Sequence, residues 1–189
     1  KAITDNGLCF EAKSIIITTG AKARWLNIQS ENKFKGFGIS ACATCDGFFY
    51  KNQEVAVIGG GNTAVEEAIY LTNFASKVTL IHRRDELRAE KILQDRLFSN
   101  PKIEILWNKK VENFEGEDNP LALKKIILKD TKDYTISDLK ISGAFIAIGH
   151  DPATEIFKNK IDMDNENYII TNPDSTQTNI KGVFAAGDV

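Results

Sequence analysis

Long apolar runs are missing from this chain of 189 residues; the longest are stretches such as Ile15-Ile16-Ile17. Nothing approaches the roughly 20 consecutive apolar residues of a membrane-spanning helix. An excess of charge is missing too. Lys and Arg number 24 against 26 Asp and Glu, a formal net charge of −2, so there is no global electrostatic case for nucleic acid or an anionic membrane. No apolar h-region follows Lys1, so no signal peptide is expected. Cysteine is scarce, with three residues, an odd number and too few for a disulfide framework. Cys9 stands alone and reads as a small, partly buried residue. Cys42 and Cys45 are close enough to pair. A single CxxC in an intracellular protein suits redox or metal chemistry better than a structural staple, and the chain reads as cytoplasmic.

What is present is ordinary globular composition, 42% hydrophobic and 26% charged, enough for one domain or a domain plus pieces of another. Residues 8–19 read as a hairpin-like segment entering a buried strand at Ser14-Ile15-Ile16-Ile17-Thr18, stopped by Gly20. Residues 21–37 read as a polar connection anchored by Trp25, Leu26 and Phe34. Residues 39–45 are predicted to start a short helix near Ser40. Glu54-Val55-Ala56-Val57-Ile58 is a buried strand in composition and length. An amphipathic helix follows over residues 63–74, with Ala64, Ala68 and Leu71 on one face. Residues 77–82 form a second strand. Asp85-Glu86 is predicted to open a second helix with Leu87, Ile92, Leu93 and Leu97 inward, its acids suiting the helix dipole and Asp85 capping it.

Residues 103–107 read as a third strand, residues 111–114, 124–128 and 134–139 as a meander, and residues 142–148 as a return strand closed by Gly149. This order predicts an α/β fold: a Rossmann-like three-layer nucleotide domain with a parallel sheet, helices and a β-meander. Residues 151–189 are polar and turn-rich and finish on a strand-like stretch. Both ends read as cut.

Gly59-x-Gly61-x-x-Ala64 fits the dinucleotide fingerprint in the context that gives it weight, after an apolar strand and before an amphipathic helix. The first glycine permits the tight turn, the second lets main chain approach a pyrophosphate, and Ala64 allows close helix–strand packing. Asn62 and Thr63 open the helix, whose N-terminus favours phosphate. An NAD site ends its second strand on an acid that accepts from the ribose 2′-hydroxyl. This strand ends on His82-Arg83-Arg84, with Arg88 one helical turn beyond Arg84. Guanidinium groups there pair with a 2′-phosphate, so the cofactor is read as NADPH. A solvated surface cluster is the plainer alternative, and His82 by itself reads equally as a surface or packing residue.

Cys42-Ala43-Thr44-Cys45-Asp46 offers a different chemistry. Two cysteines at this spacing close a small disulfide; one thiolate attacks an incoming disulfide and the other resolves the mixed intermediate. Asp46 is placed to shuttle the proton if burial raises its pKa. The alternatives are an inert pair and half of a zinc site, whose other ligands would come from Cys9, His82 and His150 without finger spacing. Passing a nicotinamide hydride into thiol exchange calls for a flavin, yet no second GxGxxG is present.

Three stretches carry a resemblance: Cys42 to Tyr50, Val55 to Ala68, and His82-Arg83-Arg84-Asp85 with Arg88 to Leu93. Together with Ala147-Ile148-Gly149-His150 and residues 182–188, they closely resemble the low-molecular-weight, bacterial-type thioredoxin reductases. The resemblance implies an NADPH domain over residues 24–150, flanked by pieces of an FAD domain at residues 1–23 and 151–189. It implies electron flow from NADPH through FAD to the Cys42–Cys45 disulfide and on to thioredoxin, with Cys45 facing the flavin, Cys42 attacking thioredoxin and Asp46 as acid–base residue. It also places Ile148 and Gly149 at the nucleotide, Asp188 at the FAD ribityl chain and Thr18-Thr19-Gly20 near the flavin. It implies a homodimer.

Within that resemblance the 189-residue chain is expected to bind NADPH with little or no turnover of its own. The flavoprotein subunit of an alkyl hydroperoxide reductase shares this core and stays open as an alternative. A ferredoxin–NADP reductase would lack the CxxC.

Overall fold

A computed structural model describes residues 1–189. The chain divides into two compact units, residues 23–149 and a second unit made of residues 1–22 and 150–189.

The first unit is built on a five-stranded sheet in the order β5-β12-β6-β7-β8. These strands are β5 (Ile39–Ser40), β6 (Glu54–Gly59), β7 (Lys77–Ile81), β8 (Ile103–Leu106) and β12 (Gly143–Ala147). Every neighbouring pair is parallel. Parallel sheets need cover on both faces, and the alternation along each strand provides it. Val55, Val57, Val78, Leu80, Phe145 and Ala147 point into one core with α3 (Asn62–Leu71) and α4 (Lys91–Phe98). Ala56, Ile58, Ile81, Ala144 and Ile146 point into the other. That second core is closed by the antiparallel meander β9 (Lys109–Asp118), β10 (Leu121–Asp130) and β11 (Ile136–Lys140), which supplies Phe114, Leu123, Ile126 and Leu128. The unit is therefore three layers: helices, parallel sheet and meander.

The stretch over residues 21–37 is not a bare connection. It holds β4 (Ala21–Ala23) and α1 (Gln29–Phe34), with Phe34 in the meander-side core. Glu31 makes this helix hold: it is fully buried, and its two carboxylate oxygens accept from the Leu26 and Asn27 N–H groups at 2.9 and 3.0 Å. A buried carboxylate thus satisfies the N–H groups of the chain that leads into the helix.

In the second unit, β1 (Ala2–Ile3) and β2 (Cys9–Phe10) form a hairpin. The strands β3 (Ile15–Ile17) and β14 (Val183–Ala185) pair in parallel. The strand expected to be buried over residues 14–18 is only partly so: Ile17 is buried, whereas Ile16 is exposed. Cys9 is exposed, not partly buried. The core here is small, made of Ile17, Ile161, Ile169, Ala185 and Val189. β13 (His150–Pro152) opens the returning segment.

Candidate functional site

Because β5, β12, β6 and β7 are parallel, the segments that follow them leave from one edge of the sheet. Cys42 follows β5, Ile148-Gly149 follows β12, Gly60-Gly61 follows β6 and His82-Arg83-Arg84 follows β7. Ligands of open α/β sheets bind outside these carboxyl ends.

The glycines of the turn do different work. A side chain on Gly59 would run into the Ala147 carbonyl and the Ala64 methyl, so Gly59 and Ala64 let strand and helix close up. Gly60 lies flat against the His82 ring. Gly61 caps α3 in extended conformation, and the space where its Cβ would stand is open to 4 Å. That opening is the concavity a pyrophosphate needs beside the N–H groups of Asn62 and Thr63. The residues present fit a dinucleotide.

His82 is buried, and its Nδ1 lies 2.8 Å from the Gly59 carbonyl oxygen. A carbonyl only accepts, so Nδ1 carries the proton. Nε2 is buried and has no hydrogen-bond partner. Burial pushes the imidazole pKa down, the Gly59 and Glu86 backbone carbonyls pull it back up, and the Arg84 and Arg88 charges push it down further. His82 is thus a neutral prop beneath the turn.

Arg83, Arg84 and Arg88 are exposed. They are not arranged on a helix. Residues 85–90 are irregular, and α4 begins only at Lys91. The reason lies in where the main-chain donors go: Arg88 N–H donates to the Gly60 carbonyl at 2.8 Å and Glu90 N–H to Asn62 Oδ1 at 2.8 Å. These donors are spent on the glycine turn, while Leu87 and Ala89 are buried two residues apart, as in extended chain. Asp85 caps nothing; it pairs with Lys132 at 3.1 Å on the surface. The Arg88 main chain is nevertheless held at the glycine turn by this bond. Ile148 packs toward the meander-side core, and Gly149 adopts φ +108°.

Cys42 and Cys45 form a disulfide with Cα atoms 5.3 Å apart. The helix α2 (Ala43–Asp46) starts later than expected, with Cys42 as its N-cap and Ser40 still in β5. The Cys42 N–H donates to Ser40 Oγ at 3.0 Å. Cys42 Sγ in turn accepts from the Cys45 N–H at 3.2 Å and, since a disulfide sulfur has no proton to give, from the Thr44 hydroxyl at 3.3 Å. Cys42 is half-buried and Cys45 exposed. Asp46 is half-buried, and its carboxylate adds to the burial that raises the Tyr50 pKa. Phe48 and Phe49 are 67% and 71% exposed, a bare aromatic pair beside the disulfide.

One residue has no counterpart in the sequence reading. Glu67 stands three positions after Ala64 and four before Leu71, on the apolar face of α3. Its Oε1 meets the Ala43 N–H at 3.5 Å, a long contact, and its buried Oε2 has no partner. Burial raises its pKa, and the Ala43 N–H opposes that. The signal was there, a carboxylate at core-facing spacing.

In the second unit, the Ala186 N–H donates to the Ile17 carbonyl at 3.0 Å. The segments Thr18-Thr19-Gly20 and Ala186-Gly187-Asp188 therefore leave the same carboxyl end of the β3–β14 pair. Gly187 adopts φ +89° and Asp188 is exposed. An exposed carboxylate at a parallel strand end fits a hydroxyl-bearing ligand such as a flavin side chain.

The family model described as pyridine nucleotide-disulphide oxidoreductase matches residues 1–189. A thioredoxin reductase of Rickettsia felis is 58% identical over 189 residues, covering 100% of this chain and 61% of its own length. One from Streptomyces coelicolor is 50% identical, covering 100% of this chain and 58% of its own. The crystal structure of thioredoxin reductase from Streptococcus pyogenes superimposes with a TM-score of 0.83 at 45% identity, over 95% of this chain and 57% of that one. Thioredoxin reductase from Giardia duodenalis gives 0.84 at 36% identity, over 93% and 57%. The chain thus spans about 61% of the length of the Rickettsia relative it matches.

Proposed function

The chain belongs to the pyridine nucleotide-disulphide oxidoreductase family, and from that premise we propose that it works as a thioredoxin-disulfide reductase, moving electrons from NADPH through FAD to Cys42–Cys45 and on to thioredoxin. One observation carries this reading: a disulfide and an open glycine cradle stand at strand ends of one sheet. On this reading residues 24–150 are the NADPH domain, and residues 1–23 and 151–189 belong to an FAD domain.

Nicotinamide and flavin, when bound, supply the hydride and electron-pair chemistry that side chains lack. The chain's own residues hold and steer. Gly59, Gly61, Asn62, Thr63 and Ala64 form the pyrophosphate cradle, with His82 as its support and Ile148 and Gly149 at its border. Arg83, Arg84 and Arg88 take the 2′-phosphate. Thr18, Thr19, Gly20 and Asp188 would hold the flavin. Cys45 would be the sulfur that exchanges electrons with it, and Cys42 would attack the substrate disulfide. Support for Cys42 as the attacking sulfur comes from the donors on its Sγ, the Cys45 N–H and the Thr44 hydroxyl, since donors of this kind stabilise a thiolate. Asp46 carries the proton to and from the thiol. Phe48 and Phe49 offer the protein substrate an apolar landing. No helix is long and apolar enough to cross a membrane; the reading makes the whole protein a cytoplasmic homodimer.

The test follows NADPH oxidation by nicotinamide absorbance with thioredoxin and added FAD. Turnover of the whole protein is expected to vanish in Cys45→Ser, and turnover that survives this change overturns the reading. The 189-residue chain is expected to bind NADPH in a fluorescence titration with little turnover, because its share of the flavin site is a pair of strand ends.

A further inference from the structure

Glu67 has no role in the reaction so far, yet it is the group that joins the two working parts of the large unit. It sits in α3, the helix opened by the glycine turn, and its carboxyl reaches the first N–H of α2, the helix that carries the disulfide. One oxygen meets Ala43, the neighbour of Cys42; the other is buried without a partner. A buried, half-satisfied carboxylate is costly, and a fold keeps such a group more readily where its protonation is used.

The titratable groups around it are few. From α2 come Cys42, Cys45 and Asp46, and from the next turn Tyr50. On α3 itself Glu66 is exposed and Tyr70 follows. Lys91, Asp95 and Arg96 of α4 and Glu54 of β6 are exposed, Lys77 of β7 is half-exposed, and β12 has no titratable group. No charged group is among the causes that shift Glu67; burial leads and the Ala43 N–H opposes.

We propose that Glu67 is a positioning residue of the redox pair that takes up a proton when the Cys42–Cys45 disulfide is reduced. This rests on the pair being redox-active. The step balances with a dithiol as reductant. The S–S bond between Cys42 and Cys45 breaks, the two sulfurs of the dithiol join, and two electrons pass to the cysteines. Of the two protons the dithiol releases, one goes to a cysteine sulfur and one to the Glu67 carboxylate, leaving the other cysteine as thiolate. The new thiolate and an ionised Glu67 would be like charges a peptide group apart, which is what favours the protonated acid. Two charge states of one side chain thus follow the two redox states of the pair, and Glu67 holds α2 in both.

The chain is equilibrated with mixtures of reduced and oxidised dithiothreitol from about pH 5.5 to about pH 8.5, then alkylated and weighed. Cys9 takes one label always, and a reduced pair takes two more. Glu67→Gln keeps the shape and loses the proton site. Its pair is expected to be more easily reduced than wild type by roughly three- to tenfold at the alkaline end, with the ratio falling toward one at the acid end. A ratio that stays flat with pH overturns the proposal and leaves Glu67 a cap. Should the variant fold poorly, carbon NMR of the wild-type Glu67 carboxyl decides. A higher midpoint in the reduced chain supports the proposal and an equal one overturns it. A wild-type pair that stays oxidised at every dithiol ratio overturns the redox reading itself, and this inference with it.

Discussion

The two units bury their apolar residues to different extents. In residues 23–149 the sheet is covered on both faces, and Val55, Ala56, Val57, Leu80, Ala144 and Phe145 are all at 0% exposure. In residues 1–22 with 150–189, five residues make the core, while Ile3, Leu8, Phe10, Ile16, Ile156 and Ile170 remain exposed. The first unit also carries the disulfide, the glycine cradle and the arginines. The second contributes strand ends with Asp188. Precise placement of a site needs a scaffold whose rotamers are locked by packing, and the doubly covered sheet of the first unit is one.

The comparison can be broken most easily at Phe145, which stacks edge-on to Tyr50 with ring centroids 5.5 Å apart. Phe145→Ala is expected to cost about 3–5 kcal/mol in urea unfolding; a loss under about 1 kcal/mol would mean that the sheet core does not hold this unit together. Next in size is Arg83→Ala. The lost phosphate contact should weaken NADPH by about 1.5–3 kcal/mol while sparing NADH, and equal losses in a binding titration would move the 2′-phosphate elsewhere. In the smaller unit Ile17→Val should cost about 0.5–1.5 kcal/mol. Hydrogen exchange should show that cost as faster opening of β3 and β14, with α3 and β6 unchanged. If α3 and β6 speed up equally, the units unfold as one.

The smallest effect concerns His82. Its folded pKa is lowered, by burial first and then by Arg84 and Arg88, so the unfolded chain binds the proton more readily. Stability from this residue is therefore present above the ordinary histidine value of about 6.5 and lost as pH falls below it. NMR titration of the ring should place its midpoint below that value, and a midpoint above it would contradict the buried neutral prop.

Much of the large unit was legible in residue order because its signals are local. Val55 to Ile58 is apolar throughout, as a doubly covered strand must be, and Gly59 to Ala64 has the spacing that a strand–helix turn requires. The misreadings share one cause. Residues 85–90 have a helical pattern but give their N–H groups to Gly60 and Asn62, partners 28 residues away in both cases, counted from Arg88 and Glu90. Glu31, in a stretch read as a polar connection, is buried and accepts from the Leu26 and Asn27 N–H groups. Long-range hydrogen bonds and burial cannot be read from local pattern.

The sequence by itself determined the parallel-sheet layering, the cradle, the arginines at the end of β7 and the cysteine pair, since each is a matter of residue type at fixed spacing. Only the tertiary structure decided that His82 stands behind the turn, that the Arg88 main chain is bonded to Gly60, and that Glu67 meets the Ala43 N–H beside Cys42. Those facts depend on which distant segments the sheet brings to one edge, and burial there sets the charge state of the groups that meet.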